Sequence, residues 1–350
     1  MKDWTKADWV DPEHPWTDPR DVPEQPERLL LDYATRCNLR CPMCIVWGSE
    51  EDRLIDDVKG IMDLDGSRRV LDEVMNAQPM IQPNLWGEPL LIPELATVIA
   101  DLKSRDIPVA MNTNGLTLRD KISLMFIEHK VDSVMFSIDS VTPETLKAVR
   151  GVNRLEKIER NVFRLMELRG DNIHPRIGVS FTLQEENRHE YDAFVERWVG
   201  IVDVVRMGLV FDDNEGNFPE LTTGLTRKPC PALYTTMPVH NDGTVRLCCL
   251  DGFRKTDMGN VFEDGVNGVW EGEEFAKARY YHETEQWDKI PFCESCNGWA
   301  EYEYEEEIRD GLLIRKSPQY VYYNKIARLT NWQGRILGGH KAPPEELVES

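Results

Sequence analysis

The sequence predicts an α/β fold in which a parallel sheet covered by helices is followed by a smaller, cysteine-bearing extension. From residue 28 to about residue 215, short apolar runs typical of buried strands alternate with helical stretches. Repeated β–α units of this kind form a parallel sheet, either open or closed into a barrel. The eight cysteines fall into two groups, one after the first strand and one in the last third of the chain. Cysteines clustered in this way usually bind metal.

The sheet is predicted to contain six strands, each followed by turn residues. Their expected positions are 28–35, 80–86, 107–115, 132–140, 177–183 and 202–210. In such folds the loops after the strands carry the functional site. We therefore expect the first cysteine group, Gly87, Asn112 and Ser137 to meet at one edge of the sheet.

The chain divides into four predicted segments. They are a lead-in at 1–27, the sheet at 28–215, the extension at 216–300 and a tail at 301–350. The extension contains a predicted hairpin whose turn is Asn241-Asp242-Gly243. In the tail, the acidic run EYEYEEEIRDG is predicted to be a solvated helix face.

The charge balance restricts the partners of this chain. It has 41 Lys and Arg against 62 Asp and Glu, a net charge of −21, which disfavours nucleic acid and anionic membrane surfaces. No apolar run approaches the roughly 18 residues of a membrane-spanning helix, and the first residues lack the apolar region of a signal peptide. We expect a cytoplasmic protein, where disulfides are rare.

The first cysteine group is Cys37-x3-Cys41-x2-Cys44. Structural zinc sites need four ligands and usually build on Cys-x2-Cys pairs. Three cysteines in one loop suit a [4Fe–4S] cluster whose fourth iron is open to a substrate or cosubstrate. This motif, directly after a first strand, resembles that of the radical S-adenosylmethionine (radical SAM) enzymes. The resemblance implies a partial (βα)6 TIM-like barrel, S-adenosylmethionine bound at the open iron, and its reductive cleavage to a 5′-deoxyadenosyl radical.

Polar motifs behind the later strands match the same family. Trp86-Gly87-Glu88-Pro89 resembles the glycine–glutamate motif that holds the amino group of S-adenosylmethionine, with Trp86 where a first glycine often stands. The motifs MNTNG and FSIDS resemble segments that line the cofactor or substrate site. The residues that the resemblance assigns to cofactor binding are Gly87, Glu88, Pro89, Asn112, Asn114, Ser137 and Asp139.

The second cysteine group is Cys230-x17-Cys248-x44-Cys293-x2-Cys296. Taken alone it fits a zinc ribbon or an iron–sulfur cluster equally. Behind a radical SAM barrel, the Gly-x4-Cys hairpin (Gly243 to Cys248) resembles the SPASM/twitch extensions that bind auxiliary [4Fe–4S] clusters. The resemblance implies one closed, four-cysteine auxiliary cluster, as in the members that oxidise aminocyclitols or epimerise aminoglycosides.

Cys249 is left over from this assignment. Adjacent residues in a strand point to opposite faces, so Cys248 and Cys249 are not expected to bind the same cluster. One interpretation is that Cys249 packs as a small apolar residue. The other is catalytic: a thiol S–H bond is weaker than an aliphatic C–H bond, so Cys249 can give a hydrogen atom to a substrate radical, as in the radical SAM epimerases.

The sequence therefore favours epimerisation at an unactivated C–H bond with Cys249 as hydrogen donor. The alternatives are dehydrogenation of an alcohol with the auxiliary cluster as electron acceptor, modification of a ribosomal peptide, and a non-catalytic zinc-binding module. A short lead-in favours a polar small molecule over a peptide, and the acidic balance suits a cationic amino sugar or cyclitol. The resemblance implies an external electron donor such as flavodoxin or ferredoxin.

Overall fold

The structure, a computed structural model, describes residues 22–48, 52–209, 224–290, 293–302 and 304–328. Most of the predicted lead-in, much of the predicted linker that follows the sheet, and the last residues of the tail lie outside these ranges. The predicted segment boundaries remain predictions.

Each of the six predicted strand runs contains a strand, shorter than the run. The strands are β1 (Arg28–Leu31), β2 (Met80–Gln82), β3 (Ala110–Thr113), β4 (Ser133–Ser137), β5 (Arg176–Leu183) and β6 (Val204–Leu209). Most of their side chains are buried, as expected for a parallel sheet covered on both faces. The remaining residues of each run form the loops that the site uses.

Helices connect these strands in the expected order. They are α1 (Asp52–Val58), α2 (Leu64–Val74), α3 (Leu95–Lys103), α4 (Asp120–Glu128), α5 (Pro143–Arg150), α6 (Leu155–Arg169) and α7 (Tyr191–Trp198). The ends of α5 matter for the site. Thr142 caps its first turn ahead of Pro143, and Gly151, at φ 73°, ends it in the left-handed conformation that favours glycine. These signals fix the position of Arg150 at the end of the helix.

The strands β1 to β6 form one parallel arrangement. β1 pairs with β2, and β3, β4, β5 and β6 pair in sequence order. An isolated parallel bridge between Ile81 and Val109 links β2 to β3. The predicted α/β fold with a partial (βα)6 barrel is confirmed.

The extension adds a strand to the first edge of this barrel. β7 (Thr236–Val239) lies parallel to β1, after the short helix α8 (Ala232–Thr235). An antiparallel bridge between Val239 and Val245 closes the predicted hairpin. The Asn241 amide in its turn donates to the Thr35 hydroxyl at 2.7 Å and the Val58 carbonyl at 3.0 Å. The helices α9 (Val261–Trp270) and α10 (Glu273–Glu283) follow.

The tail supplies three more strands. The prediction that its acidic run forms a helix face is therefore wrong. β8 (Glu305–Arg309), β9 (Leu312–Lys316) and β10 (Tyr320–Lys325) pair antiparallel, and β10 pairs with β6. Burial in β10 alternates with period two, which is the pattern of a strand. β8 is exposed throughout and carries charge, as edge strands often do.

Within the described ranges, no helix combines the length and apolar character that crossing a bilayer requires.

Candidate active site

The loops after the parallel strands surround a cavity of about 470 Å³. Its wall brings together residues predicted from both cysteine groups and from the polar motifs. The predicted residues that line it are Cys37, Cys41, Cys44, Gly87, Glu88, Asn112, Asn114, Ser137, Cys248 and Cys249. Five other predicted residues do not line it, namely Pro89, Asp139, Cys230, Cys293 and Cys296.

The first cysteine loop is shaped to present sulfur atoms to this cavity. The backbone N–H of Leu39 lies 3.4 Å from Cys37 Sγ, and that of Trp47 lies 3.3 Å from Cys44 Sγ. The loop closes tightly at Gly48, where a Cβ atom would come within 2.6 Å of backbone carbonyl oxygens. N–H groups aimed at sulfur stabilise a thiolate and tune an iron–sulfur cluster.

Burial raises the pKa of the Cys37 thiol to about 12 and also raises the pKa of Cys41. Cys37 and Cys41 therefore carry neutral thiols near pH 7 when no metal is bound. A metal cluster has to displace these protons when it binds, which is the usual coupling between thiolate ligands and metal. Three soft donors on one loop fit a [4Fe–4S] cluster with one open iron.

Arg150 stands against this loop, and the sequence had not indicated it. One of its guanidinium nitrogens lies 3.9 Å from Cys41 Sγ, while two others lie 2.5 Å from a carboxylate oxygen of Asp139. The other oxygen of Asp139 accepts the Thr182 N–H at 2.7 Å. Asp139 is thus a buried anchor for Arg150. A basic residue before a glycine cap is common in helices, so the sequence offered no signal.

The motif after β2 is built into the wall of the cavity by close packing. A Cβ atom on Gly87 would lie 1.9 Å from the Ala34 carbonyl oxygen, so only glycine fits. The backbone N–H groups of Leu85 and Gly87 donate to buried Asp32, at 3.2 and 3.3 Å. The sequence did not indicate Asp32, because this residue directly follows an apolar run that predicts a buried strand. Pro89 begins a short 3-10 helix outside the cavity.

Glu88 links this motif to the loop after β3. One carboxylate oxygen accepts the Thr113 hydroxyl at 2.5 Å, and the other accepts the Asn114 N–H at 2.8 Å. The Asn114 amide in turn donates to the Asn38 side chain at 2.9 Å, inside the first cysteine loop. Polar residues predicted from separate motifs therefore hold one another in place.

Two tryptophans connect the first cysteine loop to Cys249. The Trp47 indole donates to the Trp86 carbonyl at 2.6 Å, and the Trp86 indole donates to the Cys249 carbonyl at 3.1 Å. Trp86 also stacks on His240, with ring centroids 4.2 Å apart. Trp86 thus holds the backbone of Cys249.

Cys248 and Cys249 lie in a turn, so the strand argument for separating them was wrong. They still differ in their surroundings. Cys249 is exposed, whereas Cys248 is partly buried and interacts electrostatically with Cys249 and also with Cys293 and Cys230. Burial raises the pKa of Cys248 well above its ordinary value.

The second cysteine group comes together behind Cys248. Arg227 interacts with the thiols of Cys230, Cys293 and Cys296, donates to the Glu294 carbonyl at 2.8 Å, and lies over the Trp287 ring. The Gly298 N–H lies 3.3 Å from Cys296 Sγ. The His282 Nδ1 atom, which the sequence did not indicate, accepts the Cys230 N–H at 3.1 Å.

Four thiols held in this way fit a closed four-iron cluster, in which each thiolate binds a different iron. Among the described residues, no three His, Cys, Asp or Glu side chains are placed around a single metal ion. Burial raises the pKa of Cys293 to about 12. Here too, a bound cluster has to displace thiol protons.

Two family models match the chain. The model of the radical SAM superfamily matches residues 32–197, and that of the SPASM iron–sulfur cluster-binding domain matches residues 230–297. Among curated proteins, the chain is similar to the tungsten-containing aldehyde ferredoxin oxidoreductase cofactor-modifying protein of Pyrococcus furiosus, at 27% identity over 73% of this chain and 71% of that protein. A GTP 3′,8-cyclase of Desulforamulus reducens is 23% identical over 65% of this chain and 71% of that protein.

Solved structures share the fold at low sequence identity. SuiB of Streptococcus suis bound to precursor peptide SuiA has a TM-score of 0.58 and 15% identity over 79% of this chain and 72% of that one. BtrN in complex with AdoMet and 2-DOIA has a TM-score of 0.50 and 16% identity over 77% of this chain and 92% of that one. The chain thus carries a radical SAM domain at residues 32–197 and a SPASM domain at residues 230–297, and the cofactors of these domains are S-adenosylmethionine, the [4Fe–4S] cluster that binds it, and an auxiliary iron–sulfur cluster.

Proposed function

We propose that this enzyme epimerises a C–H stereocentre of a polar small molecule, with Cys249 as the hydrogen-atom donor. The observation that carries the proposal is the position of Cys249: it is exposed and lines the same cavity as Cys37, Cys41 and Cys44. Hydrogen bonds run from Trp47 in the first cysteine loop to Trp86, and from Trp86 to the Cys249 backbone. These bonds fix the position of Cys249 relative to the first cysteine loop.

In this proposal Cys37, Cys41 and Cys44 hold the first cluster, and Cys230, Cys248, Cys293 and Cys296 hold the auxiliary cluster. Gly87, Glu88, Asn112, Asn114 and Ser137 line the site of S-adenosylmethionine and substrate, while Pro89 and Asp139 shape it from behind. When bound, the first cluster and S-adenosylmethionine would supply the 5′-deoxyadenosyl radical that removes a hydrogen atom from the substrate.

Cys249 completes the reaction from the other face of the substrate carbon. Its S–H bond breaks, a C–H bond forms, and the sulfur keeps the unpaired electron. One electron and one proton then restore the thiol, the electron coming from a flavodoxin- or ferredoxin-type donor. One hydrogen atom is removed from the substrate carbon and one is returned to it. The configuration of that carbon is therefore inverted without net oxidation of the substrate.

Dehydrogenation of an alcohol is the second candidate, because Cys248 also lines the cavity. A ligand of the auxiliary cluster at the substrate wall favours electron transfer out of the substrate. This route makes a carbonyl product and needs no hydrogen donor. Modification of a peptide is the third candidate, and the following experiment distinguishes it from the other two.

The test uses cluster-loaded enzyme, S-adenosylmethionine and dithionite in D2O, with a panel of cyclitols, amino sugars, sugar acids and sugar phosphates. We expect wild type to convert a panel compound into a stereoisomer that gains one deuterium on carbon. Cys249→Ala should still release 5′-deoxyadenosine but lose this product, and Cys249→Ser, which keeps the size but not the weak S–H bond, should behave alike. A product that has lost two hydrogens, formed equally well by Cys249→Ala, identifies the dehydrogenase and refutes the epimerase. A panel left unchanged while a peptide is modified refutes the small-molecule substrate.

A further inference from the structure

The wall of the cavity is cationic although the whole chain carries a net charge of −21. Three arginines line the cavity: Arg28, Arg150 and Arg206. Glu88 is the one carboxylate among the described lining residues, and both its oxygens already accept hydrogen bonds from Thr113 and Asn114. The local charge therefore has the opposite sign to the overall charge.

Among the three arginines, Arg28 is the one whose positive charge is least compensated by nearby negative charge. It is the first residue of β1, and its guanidinium donates to the neutral side chain of Gln82 at 3.1 Å. It forms no ion pair with any residue that the structure describes, and its buried Nε atom finds no hydrogen-bond partner there. Gln82 is itself fixed, because its amide donates to the Asn84 carbonyl at 2.8 Å. Neutral partners thus hold a full positive charge at the cavity wall.

Arg206 projects from the middle of β6 and is also oriented by a neutral group. Its Nε atom donates to the Tyr322 hydroxyl at 2.9 Å, and its guanidinium lies 5.8 Å from the centroid of the Tyr322 ring. Arg206 and Arg150 both interact electrostatically with Asp139, which lies in direct contact with Arg150. One buried carboxylate therefore faces two guanidinium groups.

We propose that the substrate carries an anionic group, a carboxylate or a phosphate, which Arg28 and Arg206 bind. This inference rests on the proposed function for the existence of a substrate in this cavity. A guanidinium presents several N–H donors in one plane, which matches the oxygens of carboxylate and phosphate. Arg150 is committed to Asp139 and the Cys41 sulfur, so it is not assigned to the substrate. The expectation of a cationic amino sugar was drawn from the overall charge. The arginines at the cavity wall replace it with the expectation of an anionic substrate.

The experiment measures binding of four matched sugars to cluster-loaded enzyme with S-adenosylmethionine by calorimetry. D-Glucuronate and D-glucose 6-phosphate carry the anion, D-glucose is neutral and D-glucosamine is cationic. We expect at least one anionic sugar to bind about tenfold or more tightly than glucose, and glucosamine to bind no better than glucose. The ranking of the two anions separates carboxylate from phosphate.

Variants identify the residues responsible. Arg28→Gln and Arg206→Gln should each weaken binding of the anionic sugar about tenfold, and Arg28→Lys and Arg206→Lys should restore part of it. Arg164→Gln is the matched control, because Arg164 lies on α6 and pairs with Asp120 on the surface. Affinity for S-adenosylmethionine is measured in every variant and should not change.

Two outcomes overturn the proposal. One is that neither anion binds more tightly than glucose. The other is that the glutamine variants keep the anion and lose S-adenosylmethionine, which would assign the arginines to the cofactor. Cys249→Ala should bind the anion as wild type does, so failure of the hydrogen-transfer proposal is separate from failure of this one.

Discussion

Cys248 and Cys249 are neighbours with opposite predicted roles, and replacing each with alanine separates those roles. The partly buried Cys248 interacts with Cys230 and Cys293, whereas Cys249 is exposed at the cavity. Two four-iron clusters give about eight irons per loaded chain. We expect Cys249→Ala to keep about eight irons, and Cys248→Ala to fall towards about four after treatment with a chelator, because its auxiliary cluster has lost a ligand.

The assay is anaerobic reconstitution followed by quantification of iron and sulfide. Alkylation with iodoacetamide gives a second, independent reading. Seven cysteines are proposed as cluster ligands, so the loaded wild type should take up one alkyl group, at Cys249, as located by peptide mass spectrometry. Loaded Cys249→Ala should take up none.

The reverse pattern would refute the reasoning. If Cys249→Ala loses four irons while Cys248→Ala keeps eight, Cys249 is the ligand and cannot be the hydrogen donor. Alkylation of a second cysteine in the loaded wild type would contradict the ligand set itself.

Three further predictions concern the packing around the site. Trp86→Phe removes the N–H that holds the Cys249 carbonyl, and iodoacetamide should then alkylate Cys249 roughly three- to tenfold faster; an unchanged rate would contradict the positioning role. Gly87→Ala should lower the free energy of unfolding in urea by about 1–3 kcal/mol or more, whereas Gly200→Ala, whose Cβ meets nothing within 4 Å, should change it by less than about 0.5 kcal/mol. Burial lowers the pKa of His240 to about 3, so the unfolded chain binds its proton first and stability is lost as the pH falls below about 6.5. From pH 7 to pH 5 this amounts to about 2 kcal/mol, which His240→Phe should largely abolish; an equal slope in the variant would exclude His240 as the cause.

The sequence predicted the parts of the site that are local in the chain. Cys37, Cys41 and Cys44 lie in one loop, and turn residues after buried strands reach one edge by topology alone, so spacing and order were sufficient. Asp32 and Arg150 were missed because their roles depend on partners distant in the chain, such as the N–H of Leu85. The acidic run in the tail became a strand because it pairs with β9 across a two-residue turn, Asp310-Gly311, in which both residues have positive φ. This Asp-Gly hairpin signal is local in the sequence, and the prediction of a helix overlooked it.

The sign of the charge in the cavity was equally hidden from composition. Net charge sums over the whole surface, whereas Arg28 and Arg206 reach the cavity from strands far apart in the chain. Which side chains point inward depends on the register of each strand, and one residue of shift would turn them to the other face. Composition therefore restricts non-specific partners but does not identify the ligand of a cavity.

The pairing of β7 with β1 and of β10 with β6 governs how this enzyme can be assembled. When synthesis has reached β6, both edges of the parallel sheet still carry unpaired N–H and C=O groups, which makes that intermediate prone to association. The strands that close those edges come from after residue 230, so contacts of very long sequence separation must form late and slowly. The wall that Trp86 and Cys249 form together is complete only after the extension has docked, because the two residues come from the two sides of this late contact. A chain cut before β7 should therefore accumulate as aggregates.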